Sequence, residues 1–462
     1  MREELAGRPL LAASFGLMIG ISALAHPLNL LFLAAILTLC RKKTSSCVWA
    51  SAACMLGLLI SPAQPMPLAQ RAGTIAVQGR VSTPPTLGRF GESCLVDTDT
   101  HLFEVVFRSR RDLAMGQTVR AYGRILPLSG GFGETLRTEG AAATILCQPS
   151  DGRILSPAPA WFEAGSRLRN SFLEGVDSSL DGDQAGMVGA MCFAAGGRLD
   201  RSMQQDMSRM GAAHVLSASG MQVYLLAFMA QLLLSRLPVK RGVQVVAIVV
   251  ILACYASATG FHPATIRSSL VATVAMVAYL FRREPDVLSA TGLAAIVSLL
   301  WQPWALYTPG FQLSYVTVTA LCLYWRPFQP SKIKGLWPAL GSRLRFLLRT
   351  SLIASLAASP LTAFHFGQVS LVAPVANLLV APVVPVVIAV ALISWPLGAL
   401  TPALQTGLLK IICGPLAGYI LAVTGWLGSQ PWSAFQWPPF SPYWMVLYYG
   451  GFLLLWRRRG RA

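Results

Sequence analysis

The sequence predicts a polytopic α-helical membrane protein with a small all-β extracytoplasmic domain inserted between its spans. Three observations carry this reading. The 462 residues are 54% hydrophobic and 12% charged, with a mean hydropathy of +0.56, about half the charged fraction of a soluble chain. Many runs reach the roughly 20 apolar residues that cross a bilayer. Over residues 63–150 that pattern stops, and short alternating segments separated by Pro and Gly replace it.

Residues 1–62 are read as three N-terminal transmembrane helices, broken at His26-Pro27 and at Arg41-Lys42-Lys43. The opening stretch, with Arg2 and Arg8 before an apolar run to Ala25, imitates a signal peptide. Further spans follow at once, so it is taken as an uncleaved first helix. Within 63–150, "TIAVQGRV", "SCLVDTD", "LFEVVFRSR" and "QTVRAYGRI" alternate as half-buried strands do, and predict a five-stranded barrel. The module is too short and too charged to be a lipid-facing barrel. Residues 151–180 form a linker in which Trp161, Leu168, Phe172 and Val176 share a helical face, with Arg167 and Arg169 off it. That pattern predicts an amphipathic interfacial helix. Residues 181–462 return to membrane character and form the transmembrane core.

The formal net charge is +18. Two sinks compete for it: cytoplasmic loops that collect Lys and Arg, and a polyanionic partner. Arg41 to Lys43, Arg236 to Arg241, Arg282-Arg283, Arg326 to Arg349 and Arg457 to Arg461 all fall on one side under alternating spans. That side is cytoplasmic by the positive-inside rule. Both termini are then cytoplasmic and the barrel lies outside.

Several chemistries find no signature. The nine cysteines contain no C-x-x-C, the five histidines no H-E-x-x-H, and no phosphate-binding loop occurs. No metal, cofactor, catalytic centre or ATP motor is expected. Cys94 and Cys147 are the only cysteines of the outer module. An oxidising compartment and a small barrel predict a disulfide between them, worth about 2–5 kcal/mol; two buried thiols are the alternative.

Four polar constellations interrupt the apolar core. In "GGRLDRSMQQDMSRMGAAHVLSASGMQ" a helix would put His214, Ser217 and Met221 on one face and Ser219 and Gln222 on another, around Gly220. In "GFHPATIRSS", Pro263 suits a first helical turn and places Arg267 near the positive helix end, unfavourable by about 0.3–1 kcal/mol. In "TPGFQLSY", Gln312 and Ser314 follow Pro309-Gly310 at a helix opening. The fourth runs from Pro360 to Pro385 with His365, Gln368, Pro374, Asn377 and Pro382, and its prolines predict broken helices. Uncovered polar groups in hydrocarbon cost several kcal/mol each, roughly. A watery path lined by His214, Ser217, Ser219, Gly220, Gln222, Arg267, Gln312, Ser314 and Asn377 is the functional reading. Structural glue for the serines and, with less weight, for His214, and snorkelling for Arg267, are the bland alternatives.

These stretches, in this order, resemble the ComEC family of competence proteins, inner-membrane DNA-uptake channels of transformable bacteria. The resemblance implies that the barrel is an OB-fold and that the core passes single-stranded DNA. It also implies as partners an outer DNA receptor, a separate nuclease and cytoplasmic helicase or recombination proteins, beside the lipid bilayer. OB-folds hold single strands with basic grooves and stacking aromatics. The candidate contacts are Arg108, Arg110, Arg111 and Tyr122, with Phe103, Phe107 and Phe132 also considered; the two strand phenylalanines are assigned to the core. Two departures from the family pattern stand out. Gln222 occupies a position usually held by His, and the sequence given ends at Ala462 without a metallo-β-lactamase-like domain, so the chain is read as a member lacking it.

Two rival functions are weighed. Ser217-Ala218-Ser219-Gly220 resembles the nucleophile motif of rhomboid intramembrane proteases, with His262 or His365 as base. A small-solute or lipid-precursor permease shares the architecture.

Overall fold

A computed structural model describes residues 9–23, 50–51, 53–55, 73–83, 85–88, 91–98, 102–109, 113–126, 141–195, 198–216, 220–284, 286–301, 303–325, 336–438, 440–441, 444–445 and 447–452. The chain divides into two compact units. One holds Pro65–Thr265 and Leu379–Gln430; the other holds Met1–Gln64, Ile266–Leu378 and Pro431–Ala462.

The first unit opens with the barrel. Its strands are β1 (Thr74–Val81), β2 (Thr86–Gly88), β3 (Gly91–Asp97), β4 (Leu102–Phe107), β5 (Thr118–Leu126) and β6 (Ala141–Ser156). The order β1-β5-β6-β4-β3, closed by a short β1–β3 pairing, makes a five-stranded ring with β2 added on β3. All pairs are antiparallel except β4–β6. Alternation does the folding: every second residue points inward, so that Val77, Val96, Phe103, Val105, Phe107, Val119 and Ile145 fill the ring. The assignment of Phe103 and Phe107 to the core holds, at 4% and 1% exposure. β6 runs to Ser156, past the boundary expected at 150. Ala121 and Gly123 of β5 pair with Gly152 and Cys147, so the intervening residues of β6 bulge out of the ladder.

The expected disulfide is absent: Cys94 and Cys147 remain thiols, both buried. Strand β4 is the reason. Cys94 pairs with Val105 of β4, and Phe107 of β4 pairs with Cys147. Two strand spacings of about 4.8 Å put the Cα atoms beyond the roughly 7 Å a disulfide can span.

After the barrel come α2 (Ala160–Asp177), α3 (Gly182–Phe193), α4 (Arg201–Arg209), α5 (Gly220–Leu234) and α6 (Arg241–Ala258); α1 (Pro9–Ala23) belongs to the other unit. The amphipathic α2 forms as expected, but half of its apolar face meets protein. Phe172 and Val176 are fully buried, with Phe172 against Phe193 of α3 at 4.9 Å between rings. Its N-terminal end carries Trp161, half exposed. Arg167 is solvated and ion-paired to Glu163 at 3.0 Å. Arg169, expected off the packed face, is buried instead and reaches the Pro85 carbonyl of the barrel at 3.5 Å. Burial, with a smaller contribution from Arg198, lowers its pKa to about 10. Gly116 of the barrel (φ +86) sits so close to α2 that a Cβ would lie 2.9 Å from the Phe162 ring.

The other unit contains most of α7 (Pro263–Leu280), α8 (Val287–Trp301), α9 (Pro309–Trp325), α10 (Leu336–Phe366) and β7 (Gln368–Ser370). Leu17 and Ile21 of α1 pack with Ala295 and Leu299 of α8. Gly367, left-handed at φ +62, ends α10 and turns the chain into β7, which pairs with β8 (Ala434–Gln436). Then follows most of α11 (Ala373–Val380); α12 (Val384–Gly398), α13 (Pro402–Leu408), a π-helical turn at Leu409–Cys413 and α14 (Gly414–Gly428) belong to the first unit. Pro360 does not break its helix: α10 runs through it, and the breaks fall at Gly367 and between α11 and α12.

The chain is a membrane protein by the character of these helices. Among the described residues, Arg241–Ala258, Gly341–Phe366 and Pro402–Gly428 are long and apolar enough to cross a bilayer, and α11 with α12, bent by 40°, passes as a fourth span. Large apolar side chains such as Phe228, Val246, Trp301 and Ile411 point outward.

Candidate functional site

The described helices between residues 266 and 378 carry three buried or half-buried polar pairings, each joining segments far apart in sequence. Arg267, on the second turn of α7, is 6% exposed, and its guanidinium lies over the Tyr315 ring of α9, 5.6 Å from the centroid. Gln312, one turn before Tyr315, donates its amide to the Leu306 carbonyl at 2.9 Å. Its amide oxygen faces His365 Nε2 of α10 at 2.8 Å. Because that oxygen can only accept, Nε2 carries the imidazole proton. Asn377 of α11 donates to Ser351 Oγ of α10 at 2.9 Å.

Around this set lie hydroxyl oxygens with few partners among the described residues. The Ser298 hydroxyl of α8 adjoins the Tyr315 hydroxyl, yet among the described residues neither buried oxygen completes a hydrogen bond, nor does Ser269 Oγ. Such groups in a helical membrane unit require water or a polar cargo. Ser314 is half-buried on the same helix as Gln312.

The constellation around His214 is arranged otherwise. His214 lies in a 3₁₀ turn (Ala213–Val215), and α5 is described from Gly220. The shared helical faces expected for His214 with Met221 therefore do not form. His214 is exposed. Gln222, expected to face a watery path, is turned into protein: it is 1% exposed and donates to the Met191 carbonyl of α3 at 2.7 Å. Ser217 and Ser219 lie outside the described residues.

On the barrel, Tyr122 is 51% exposed and Arg108 is exposed at the end of β4. Arg110, Arg111 and Phe132 lie outside the described residues. Among the described residues no His, Cys, Asp and Glu cluster could hold a metal ion.

Reading the sequence missed Tyr315, Ser298 and Ser351. Tyr315 was within reach, since it stands three residues after Gln312 and so shares its helical side. Ser298 and Ser351 gave no signal, being single serines in apolar helices.

A family model described as competence protein matches residues 191–461, and the chain belongs to that family. The chain is also similar to the ComE operon protein 3 of Bacillus subtilis (strain 168), 28% identical over 215 residues. The match covers 46% of this chain and 26% of that protein, so this chain matches about a quarter of its relative's length. No solved structure matches it.

Proposed function

We propose that this competence-family chain is a conduit admitting single-stranded DNA across the inner membrane during natural transformation. One observation carries the reading: Arg267, Gln312, His365 and Asn377, with the adjoining Ser298 and Tyr315 hydroxyls, are polar groups buried or half-buried in a helical unit whose outward side chains are largely apolar. Polar groups at membrane depth mark pathways, because each costs too much to keep without a use. Donors without base preference suit a phosphate backbone, and individually weak contacts allow the cargo to leave.

The barrel, read as OB-like from its ring order β1-β3-β4-β6-β5 (1-2-3-5-4 once the short β2 is set aside), lies outside the cytoplasm in this scheme and holds the strand over the entrance. The basic loops put both termini in the cytoplasm. The chain acts as a passage and not as an enzyme. His365, one base considered for a protease, is hydrogen-bonded to Gln312. An outer receptor, a separate nuclease and cytoplasmic recombination proteins complete the route.

The test is internalisation of labelled DNA by cells lacking the gene. The expected result is DNA that reaches the outer compartment and stops there. Unchanged internalisation refutes the channel and favours a small-solute or lipid-precursor permease.

A further inference from the structure

The outward side of the barrel is not uniform in charge. OB-folds customarily bind strands on their second and third strands, here β3 and β4. That face carries Ser93, Leu95 and Asp97 beside Leu102, Glu104 and Val106; Leu95 and Glu104 are buried, Asp97 is the exposed carboxylate, and Arg108 follows at the end of β4. Glu104 is further engaged by the Thr144 hydroxyl at 2.6 Å. Within these two strands the exposed charge is the Asp97 carboxylate, and no exposed aromatic ring offers a stacking surface.

The opposite side differs. Along β5, alternation puts Arg120, Tyr122 and Arg124 outward together, all exposed. Consecutive outward residues stand about 7 Å apart, so the Tyr122 ring has a guanidinium on either side along the strand. Tyr122 is about half exposed, and among the described residues no aromatic ring stacks on it. The residue directly across on β1 is Ala76, and on β6 the bulge leaves no partner opposite it. Arg153 of β6 stands directly opposite Arg120. Like charges in such a pair repel and destabilise the ladder. Among the described residues none of Arg120, Arg124 and Arg153 makes an ion pair. Arg80, also outward, faces Asp97 and is left out.

We propose that this β1–β5–β6 face is a binding platform for single-stranded DNA, with a base stacked on Tyr122 and backbone phosphates shared by Arg120, Arg153 and Arg124. An anion between Arg120 and Arg153 turns their repulsion into a chelate. Stacking on the ring makes the platform tolerant of sequence, as an uptake path requires. The proposal deepens the transport reading above and rests on it for the identity of the ligand.

The experiment measures binding of a fluorescent oligothymidine, about 20 nucleotides long and so longer than one OB-fold site, to the full chain in detergent by anisotropy. Tyr122→Ala should weaken binding by roughly 5- to 150-fold, the value of one stacked base, while Tyr122→Phe keeps the affinity. Arg120→Gln with Arg153→Gln should flatten the slope of log affinity against log salt by about 1.4, two single-strand phosphate contacts. These positions are exposed, so unchanged thermal melting shows that the variants are folded. Oligothymidine affinity independent of Tyr122 overturns the proposal. So does a loss of binding to phosphatidylglycerol vesicles with oligothymidine affinity intact, which makes the face a membrane contact. The two readings fail separately. Unchanged DNA internalisation in the gene deletion refutes transport even where Tyr122 binds DNA. Oligothymidine binding indifferent to Tyr122 refutes the platform even where the deletion blocks internalisation.

Discussion

The barrel and the helices of residues 266–378 solve opposite problems with opposite placements of the same side chains. In the barrel, arginines stand outside in water around a dry core of Val96, Val105, Phe107 and Ile145. In the helical unit, large apolar side chains such as Trp301 and Leu352 face outward, while Arg267 is 6% exposed and sits over an aromatic ring. A cation on a wet surface is cheap and repeats freely. One inside a membrane unit is retained only with partners and a purpose. The contrast separates residues that hold the fold from residues available for transport, and each expectation below strains it at one point.

The largest effect should come from the barrel core. Phe107 is 1% exposed, and a Phe→Ala change at such a site costs about 3–5 kcal/mol. Phe107→Ala should open the barrel to proteolysis while the membrane helices persist. Loss of the whole chain from the membrane would show that the barrel is not a separate layer of stability. Next comes Arg267→Ala, which should cut DNA internalisation on the order of tenfold, equivalent to ~1.4 kcal/mol of barrier, at normal abundance in the membrane. Disappearance of the variant protein would instead assign Arg267 to packing.

How much of this was written in the sequence differs between the regions for a physical reason. Strand β1 was legible because "TIAVQGRV" alternates, and alternation is a local property that one face of a barrel enforces. The path of β6 was not, because Pro149-Ser150-Asp151 has turn chemistry and only the bulge against β5 reconciles it with a strand. In the membrane, Arg267, Gln312 and Asn377 could be singled out as polar types in apolar runs. Their partners could not, since Gln312 and His365 are 53 residues apart and meet only through helix packing. In "GAAHVLSASGMQ" no breaker other than Gly marks the 3₁₀ turn at Ala213–Val215, because that turn is set by packing and not by local sequence. The Arg-x-Tyr-x-Arg alternation of β5 was visible in "QTVRAYGRI", but its meaning depends on Arg153 and Ala76 across the ladder.

Gln222 sharpens the comparison from inside the first unit. Its buried amide donates to the Met191 carbonyl, which groups it with the residues that hold the fold. Gln222→Leu should destabilise the chain by ~0.6–1.7 kcal/mol, the range of interhelical hydrogen bonds in membranes. DNA passage per molecule should be unchanged. A fall in passage at normal abundance would return Gln222 to the path.

The smallest effect at neutral pH concerns Cys94, and it probes whether the barrel interior is as dry as its packing implies. Burial pushes the Cys94 thiol well above its ordinary range, and the charges of Glu92, Cys147 and Glu104 push the same way. The folded barrel therefore keeps the thiol neutral where an unfolded chain would ionise it, near pH 8.5. The sign follows: a raised folded pKa leaves stability intact below about pH 8.5 and withdraws it as pH climbs above, by about 1.4 kcal/mol per pH unit for this group. Thermal melting of the barrel signal should thus decline from pH 9 upward, and Cys94→Ala should flatten that decline. Iodoacetamide should label neither Cys94 nor Cys147 in the native chain at pH 8 and both in the denatured, unreduced chain. Absence of label in the denatured chain would mean that the two sulfurs are bridged after all, and that β4 does not separate them as the strand order requires.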